Sequence, residues 1–333
     1  MNALQSGFFA SHTPSTPFFS LEFSPPKTAQ GEKNLENRLE RIALWKPLFG
    51  SVTFRIPGTT ITQSIDFASK IKRDYGIEPL LHLTCVNMTL GKINCALRRA
   101  KEKGIINILA LKGDYPDSEA LASAGLTETN LVKPEFTFAS QLVEYIKTNP
   151  EFKDVFNVGV VGHPEGYFRK DSTDLKVCSI DQIYNNKNIS DGIDLQEIRF
   201  LKTKVDKGAN FVISQAFYSS DKFLNWYNTC RVYGISVPII PSFFPIQTYK
   251  SFELVTKLNS LYVPQDLLDK VKPATNDKIK LEEMGVDLAV KQISEIREST
   301  DVIGFHISTL NLEKNVKKIL EGTGFIQNEN IPF

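Results

Sequence analysis

A single carboxylate, Glu22, interrupts an apolar run that extends from Phe18 to Phe23. Aromatic and aliphatic residues at this density are typical of a buried β-strand. Pro25 and Pro26 end the strand, because proline has no N–H to donate to a ladder. Burial at the end of such a strand would raise the pKa of Glu22 and keep its carboxyl protonated near neutral pH. The sequence therefore indicates a general acid here, with a solvent-facing glutamate at a sheet edge as the alternative.

Other polar residues also lie where predicted strands end. They are Thr53, His82, Thr84, Asp114, His163, Glu165, Gln215, Ser242, His306, Thr309 and Asn311. If the strands converge, Glu22 and Asp114 share one mouth, the opening formed by the C-terminal ends of the strands. Two carboxyl groups suffice for proton transfer but do not identify a substrate. No Cys/His pair suggests a nucleophile, and the histidines lack the spacing of a metal site.

Composition limits the classes of function. The chain has 333 residues, of which 41% are hydrophobic and 23% charged, and its formal net charge is +1. A nearly neutral chain gives no electrostatic reason to expect nucleic acid or an anionic membrane as a partner. No apolar run approaches the roughly 20 residues that span a bilayer. The four cysteines are scattered, so we expect reduced thiols in a cytoplasmic protein without a metal site.

Glycines mark the ends of four predicted helices. Gly76, Gly104, Gly208 and Gly234 each follow a charged stretch of helical period and precede an apolar run. A glycine in this place caps the helix in the left-handed conformation, after which the chain turns back. The near-continuous apolar runs that follow are typical of parallel strands that are buried on both faces.

This pattern predicts eight strands that alternate with helices. The strands are expected over 18–23, 49–54, 79–85, 105–111, 157–161, 211–217, 237–242 and 302–307, and the helices over 31–45, 61–75, 89–103, 134–148, 195–207, 220–233, 247–259, 284–298 and 311–321. Such a chain is predicted to form an α/β fold, a single-domain (β/α)8 TIM barrel. A doubly wound open sheet is the alternative, although no GxGxxG follows the first strand. We expect a flexible N-terminal arm over 1–17, the catalytic barrel over 18–325 and a tail over 326–333.

Seven short motifs occur in the order found in one enzyme family. They are Leu21–Phe23, Ser51–Thr53, His82–Cys85, Leu111–Asp114, Pro164–Gly166, Gly208–Gln215 and Gly304–Asn311. Each motif is weak by itself, but all seven are in register with the predicted strand ends. Over roughly residues 18–322 the chain resembles the catalytic barrel of methylenetetrahydrofolate reductases.

The resemblance implies a flavoprotein oxidoreductase of one-carbon metabolism that feeds methionine synthesis. In this family NADH or NADPH passes a hydride to a non-covalent FAD. The nicotinamide then leaves, and 5,10-methylenetetrahydrofolate takes its place on the same flavin face and is reduced to 5-methyltetrahydrofolate, a ping-pong sequence. Relatives in the family self-associate, so a homo-oligomer is expected.

The resemblance also implies roles for individual residues. Glu22 matches the acid that protonates the leaving ring nitrogen as the substrate opens to a 5-iminium cation, and Asp114 matches a catalytic carboxylate that stabilises this cation. Both belong to the expected substrate site, together with Gln215, which matches the amide that recognises the folate ring, and Tyr249, which matches a stacking aromatic. The expected FAD-binding residues are Thr53, His82, Leu111, Lys112, Gly113, Asp114, His163, Tyr167 and Lys204.

The chain departs from the usual family motifs at several positions. Ser24 stands where the family usually has Phe, Lys112 where it has Arg, and His163 where it has Tyr. Two alternatives stay open: a degenerate, non-catalytic barrel that acts as the partner of an active paralogue, and another flavin-dependent barrel oxidoreductase such as a proline-dehydrogenase-like enzyme. Animal and fungal relatives carry a C-terminal domain that binds S-adenosylmethionine. The sequence leaves no room for it, so we expect no feedback inhibition by that ligand in this chain alone.

Overall fold

Parallel strands dominate the structure, a computed structural model that describes residues 16–54, 60–116, 118–123, 125–166 and 194–327. The strands are β1 (Phe18–Phe23), β2 (Gly50–Val52), β3 (Pro79–Thr84), β4 (Asn107–Leu111), β5 (Asn157–Gly162), β6 (Phe211–Ser214), β7 (Ile239–Ile240), β8 (Ser242–Phe243) and β9 (Gly304–Ser308). Their order in the sheet is β7-β6-β5-β4-β3-β2-β1-β9-β8, and every neighbouring pair is parallel.

The first and last strands in this order, β7 and β8, are halves of one strand. Only Pro241 separates β7 from β8, while β7 pairs with β6 and β8 pairs with β9. The N–H of His306 donates to the Pro241 carbonyl at 2.9 Å, so the ladder continues across the break. The sheet therefore closes on itself as an eight-position barrel. The predicted TIM barrel is confirmed, and the open doubly wound sheet is wrong.

Helices cover the outside of the barrel. They are α1 (Ala29–Leu44), α2 (Ile61–Tyr75), α3 (Leu90–Glu102), α4 (Ser118–Ser123), α5 (Ala139–Thr148), α6 (Leu195–Asp206), α7 (Ser220–Val232), α8 (Tyr249–Asn259), α9 (Gln265–Val271), α10 (Lys278–Ser299) and α11 (Lys314–Gly322). The four glycines expected after helices all adopt positive φ, between 67° and 108°. No helix in the described ranges is long and apolar enough to cross a bilayer.

Several predicted boundaries are wrong for local reasons. The sixth strand ends at Ser214 rather than at Phe217, because the Ser214 hydroxyl accepts the N–H of Ser242 at 3.0 Å and the chain then turns outward. The seventh strand is broken because Pro241 has no N–H. The long helix α10 begins at Lys278 instead of residue 284, since the Asp277 side chain caps it by accepting the Lys280 N–H. Helix α9 was not predicted.

Strand residues alternate between two cores. Phe18 packs inside the barrel against residues from other strands, among them Leu80, Leu109 and Phe211. Leu21 belongs instead to the outer core between strands and helices. Because successive strand side chains point to opposite faces, the even-numbered positions of β1 face the interior. This alternation directs Glu22 toward the barrel axis.

Two glycines make room for aromatic rings inside the barrel. A Cβ on Gly304 would lie 2.0 Å from the Phe18 ring, and one on Gly159 would lie 2.3 Å from the Phe211 ring. Small residues therefore face large ones across neighbouring strands, which fills the interior without voids.

We predict that Gly304→Ala destabilises the protein by at least about 1–3 kcal/mol, because the added methyl group overpacks the interior against the buried Phe18 ring. The free energy of unfolding, measured by urea denaturation, checks this. The matched control is Gly91→Ala, at an exposed position early in α3 where the nearest atom lies 3.9 Å from the new Cβ. The control should be neutral or stabilising by up to about 1 kcal/mol. Equal effects of the two substitutions would contradict the packing argument.

Candidate active site

Glu22 lies at the last interior position of β1, at the mouth of the barrel. Its partner in the β1–β9 register is Ser308, whose hydroxyl donates to Glu22 Oε1 at 2.9 Å. The side chain is 29% exposed, so the alternative of a glutamate turned into bulk solvent is wrong. Burial raises the pKa of Glu22, and the hydrogen bond from Ser308 opposes that rise without cancelling it.

Two histidines lie beside and below this carboxyl. His82 Nε2 is 4.0 Å from Glu22 Oε2, and burial lowers the pKa of His82 to about 4. His306 lies deeper, with Nδ1 2.8 Å from the Ser20 hydroxyl and Nε2 3.2 Å from the Ser51 hydroxyl. Burial and the neighbouring His82 lower its pKa to about 3. Both imidazoles are therefore neutral near pH 7, so neither supplies the positive charge that would stabilise a Glu22 carboxylate.

The segment after β4 contacts β3 closely. The N–H of Cys85 donates to the carbonyls of Leu111 and Lys112, at 3.0 and 3.1 Å. Gly113 has φ +80° and leaves no space for a side chain, since a Cβ there would lie 2.8 Å from Thr84 Cβ. Asp114 follows with an exposed side chain. The backbone of Gly113 thus packs directly against the Thr84 side chain, a close contact that we call the Gly113 cradle.

Two buried polar atoms on β3 have no hydrogen-bond partner among the described residues. They are Thr84 Oγ1 and His82 Nε2. Buried polar atoms in folded proteins are usually satisfied, and an exception suggests a missing ligand or water. Together with the Gly113 cradle, these atoms fit a polar ring system at the mouth better than an apolar one.

Thr53 and the residues after β5 complete this side of the mouth. The Thr53 hydroxyl donates to the Ser24 hydroxyl at 3.0 Å. His163 Nδ1 lies 3.7 Å from Glu197 Oε2, and burial together with Lys204 lowers the pKa of His163 to about 3. Lys204 donates to the Val161 carbonyl at 2.5 Å, and burial lowers its pKa to about 8. Tyr167 lies outside the described residues.

The expected substrate residues Gln215 and Tyr249 lie on the opposite side. Gln215 directly follows β6, where its side-chain nitrogen donates to Asn259 Oδ1 and its N–H donates to the Gly162 carbonyl at 2.7 Å. Tyr249 is the first residue of α8 and packs against Phe252 with ring centroids 6.3 Å apart. The structure therefore places Gln215 in a fixed hydrogen-bonded position, whereas Tyr249 is held by aromatic packing.

Several contacts on this side of the mouth could not be predicted from the sequence. Glu165 accepts the N–H of Tyr262 at 2.5 Å, and burial raises the pKa of Glu165 to about 7. Lys222 lies over the Tyr262 ring, 4.6 Å from its centroid. Asn259 and Tyr262 belong to the end of α8 and the turn after it. Their position over the strand ends depends on how this helix docks, which residue spacing does not encode.

Comparisons with known proteins agree with this geometry. A family model described as methylenetetrahydrofolate reductase matches residues 10–324. Methylenetetrahydrofolate reductase 1 of Schizosaccharomyces pombe is 36% identical over 317 residues, which cover 94% of this chain and 47% of that protein. The 5,10-methylenetetrahydrofolate reductase of Salmonella typhimurium is 28% identical over 292 residues, which cover 88% of this chain and 86% of that protein. The chain thus spans about half the length of its fungal relative and most of the bacterial one.

A solved structure supports the fold. An uncharacterized protein from Clostridium thermocellum that binds two copies of 5-methyl-5,6,7,8-tetrahydrofolic acid aligns with a TM-score of 0.60 at 15% identity, covering 92% of this chain and 94% of that one. At this identity the similarity concerns the fold alone. The family match extends over nearly the whole barrel and includes the strand ends described above. The chain therefore belongs to the methylenetetrahydrofolate reductase family.

Proposed function

We propose that this barrel binds FAD at its mouth and reduces 5,10-methylenetetrahydrofolate to 5-methyltetrahydrofolate with NADH or NADPH, with Glu22 as the acid. The observation that carries the proposal is the largely buried carboxyl of Glu22 at the mouth of a closed barrel, which accepts a hydrogen bond from Ser308 and faces only neutral side chains among the described residues. The names of the relatives support it: one from rice is described as using NADH and one from Caenorhabditis elegans as using NADPH. The Clostridium thermocellum protein, which shares the fold, binds the proposed product.

The residues at the mouth fit FAD. When bound, FAD would supply hydride transfer between the nicotinamide and the folate. The packing of Gly113 on Thr84 would hold the backbone after β4 in place beside the ring, and the unpartnered Thr84 and His82 atoms offer it hydrogen bonds. The residues that would hold the cofactor are Thr53, His82, Leu111, Lys112, Gly113, Asp114, His163 and Lys204, with Tyr167 proposed from the sequence alone.

Glu22 is placed to donate one proton. Burial raises the pKa of Glu22 and so favours the protonated carboxyl, and the neutral His82 does not compete for that proton near pH 7. Transfer to the leaving ring nitrogen of the folate would convert Glu22 to a carboxylate. The hydroxyl of Ser308 already donates to Oε1, and this bond strengthens when the acceptor becomes charged. Ser308 therefore stabilises the acid after it has given up its proton.

The substrate would lie between this acid and the opposite side of the mouth. Gln215 is proposed to recognise the pterin, because Asn259 fixes the orientation of its amide. Tyr249 is proposed to stack on the substrate ring. Asp114 is proposed as the charged neighbour that stabilises the cationic form of the substrate. Its exposed side chain leaves the carboxylate available for that role.

We predict that Glu22→Gln lowers the rate of folate reduction by about 10²–10⁴-fold, because an amide cannot act as the acid. Oxidation of NAD(P)H by the FAD-loaded protein should keep its rate, since that half-reaction needs no proton from Glu22. Anaerobic stopped-flow measurements of the two half-reactions check this, with Glu40→Gln on the exposed face of α1 as the control. Equal losses in both half-reactions would count against Glu22 as the acid for the folate.

We predict that the two half-reactions differ in their sensitivity to alkaline pH. The folate step requires protonated Glu22, so its rate should fall as pH rises through the raised pKa of this carboxyl. The nicotinamide step should lack that decrease. Rate–pH profiles of each half-reaction provide the test, and a folate step that accelerates with pH would exclude a protonated glutamate as the acid.

We predict that Gly113→Ala reduces FAD occupancy, because the new methyl group would lie 2.8 Å from Thr84 Cβ and force apart the backbone after β4 and the Thr84 side chain, both of which would hold the ring. The visible absorbance of protein reconstituted with FAD measures occupancy. Gly76→Ala is the matched control: Gly76 has a similar φ of +68°, nothing lies within 4 Å of its new Cβ, and it caps α2 before β3, at the other end of the barrel. Loss of flavin in both variants would point to backbone strain instead of the cradle.

The same preparations separate the proposal from its alternatives. A wild-type chain that takes up no FAD would favour the non-catalytic barrel that acts with a paralogue. A chain that takes up FAD and oxidises proline but not 5-methyltetrahydrofolate would favour the proline-dehydrogenase-like enzyme.

A further inference from the structure

The backbone leaves its ladder immediately after Glu22. The β1–β9 register ends at the pair Glu22–Ser308, and the β1–β2 register ends at Phe23–Val52. Pro25 and Pro26 follow and have no N–H. Ser24 is therefore the last residue at the end of β1 whose N–H and carbonyl can both form hydrogen bonds, and no strand is paired with it.

The side chain of Asn311 takes the place of that missing strand. Its Nδ2 donates to the Ser24 carbonyl at 2.8 Å, and its Oδ1 accepts the Ser24 N–H at 2.9 Å. A carboxamide can donate and accept in one plane, as a backbone peptide does. Asn311, which follows β9 in the chain, thus extends the ladder of β1 by one residue.

The same turn also holds the backbone of Glu22 itself. The hydroxyl of Thr309 donates to the Glu22 carbonyl at 2.7 Å and accepts the N–H of Asn311 at 2.9 Å. The N–H of Thr309 adds a longer contact of 3.3 Å to the same carbonyl. The acid and the residue that follows β1 are therefore both tied to residues 309–311.

The turn adopts an unfavourable conformation that other contacts maintain. Leu310 and Asn311 have φ of 51° and 59°, in the left-handed region that non-glycine residues rarely adopt. Arg38 of α1 donates to the Asn311 carbonyl at 2.8 Å, and Arg41 pairs with Glu313 at 2.6 Å. Strained backbone that is held from several sides is found most often at functional sites.

The carboxyl of Glu22 has few contacts of its own. Among the described residues it receives one hydrogen bond, from Ser308 on β9, and His82 on β3 faces it at 4.0 Å with His306 below. Neither histidine is charged near pH 7. The direction of the side chain therefore depends mainly on where the backbone of β1 ends.

We propose that Asn311 is a positioning residue for the acid, which holds the end of β1 so that the carboxyl of Glu22 stays aimed into the mouth. The expected effect on folate reduction rests on the proposed function. The expected effect on the position of Glu22 does not, because it concerns the protein without any ligand.

The decisive variant is Asn311→Gly. Glycine adopts positive φ without steric cost, so the turn is kept while the carboxamide is removed. The matched control is Lys46→Gly, at an exposed residue with φ 57° in the connection between α1 and β2. It changes the same kind of backbone position without touching β1's C-terminal end.

Two measurements use the apoprotein. Hydrogen exchange of the Ser24 N–H should be faster in Asn311→Gly than in the wild type or the control. The pKa of Glu22, followed by carboxyl ¹³C NMR and assigned with Glu22→Gln, should fall toward the ordinary value of about 4.3, because the freed carboxyl reaches water. In the FAD-loaded protein, folate reduction should slow by about tenfold to a hundredfold, while NAD(P)H oxidation keeps its rate.

An unchanged pKa of Glu22 and an unchanged folate step in folded Asn311→Gly would overturn the inference. Equal slowing of both half-reactions would overturn it as well, since that result indicates general damage to the mouth. If wild-type protein takes up FAD and oxidises NAD(P)H without reducing the folate, the proposed function fails. The exchange and NMR results would still decide whether Asn311 positions Glu22.

Discussion

Burial of one carboxyl among neutral side chains is the constraint on which the site depends. Glu22 lies at an interior position of β1, and the groups nearest to its carboxyl are a hydroxyl and an uncharged imidazole. An arginine or lysine in their place would stabilise the carboxylate and lower the pKa of Glu22. The barrel instead offers His82 and His306, whose pKa values burial lowers to about 4 and about 3. The surroundings of the Glu22 carboxyl are thus polar without being charged.

This arrangement costs stability at neutral pH. A carboxyl whose pKa is raised in the folded protein opposes folding once the unfolded chain ionises, so its unfavourable contribution appears as pH rises above about 4.3, the ordinary glutamate value. The packed core of the barrel must offset that cost. The rings of Phe18 and Phe211, seated against Gly304 and Gly159, fill the interior below the polar layer and exclude water from it.

The mouth has two sides that are built differently. The side formed by β2 to β5 is backbone-rich, with the close contact of Gly113 and Thr84 at its centre. The side formed by β6 to β8 is covered by a second apolar cluster to which α8, α9 and α10 contribute, including Phe252, Leu268 and Leu281. Under the proposed function, a planar cofactor would lie against the first side and the substrate against the second, where Gln215 directly follows β6.

The amino-acid sequence alone determined the barrel, the order of its elements and the choice of Glu22 as the proposed acid. Helical period, capping glycines and apolar runs are local signals. The alternation of side chains along Phe18–Phe23 is also local, and the inward direction of Glu22 follows from it. Local signals failed where the chain interacts with distant segments. The break at Pro241 allows β7 and β8 to pair with different neighbours. The early start of α10 is an exception with a local cause, because the Asp277 side chain caps the helix.

Only the tertiary structure decided which residues surround the acid. Ser308 is 286 residues from Glu22 and Asn311 is 287 from Ser24, yet closure of the barrel brings each pair within hydrogen-bond distance. Likewise Asn259 reaches Gln215 because α8 docks over β6. No spacing in the sequence encodes these contacts, because the first two arise when the last strand pairs with the first and the third arises when α8 packs on the barrel. The sequence thus indicates Glu22 as the proposed proton donor, and the closed barrel specifies its surroundings.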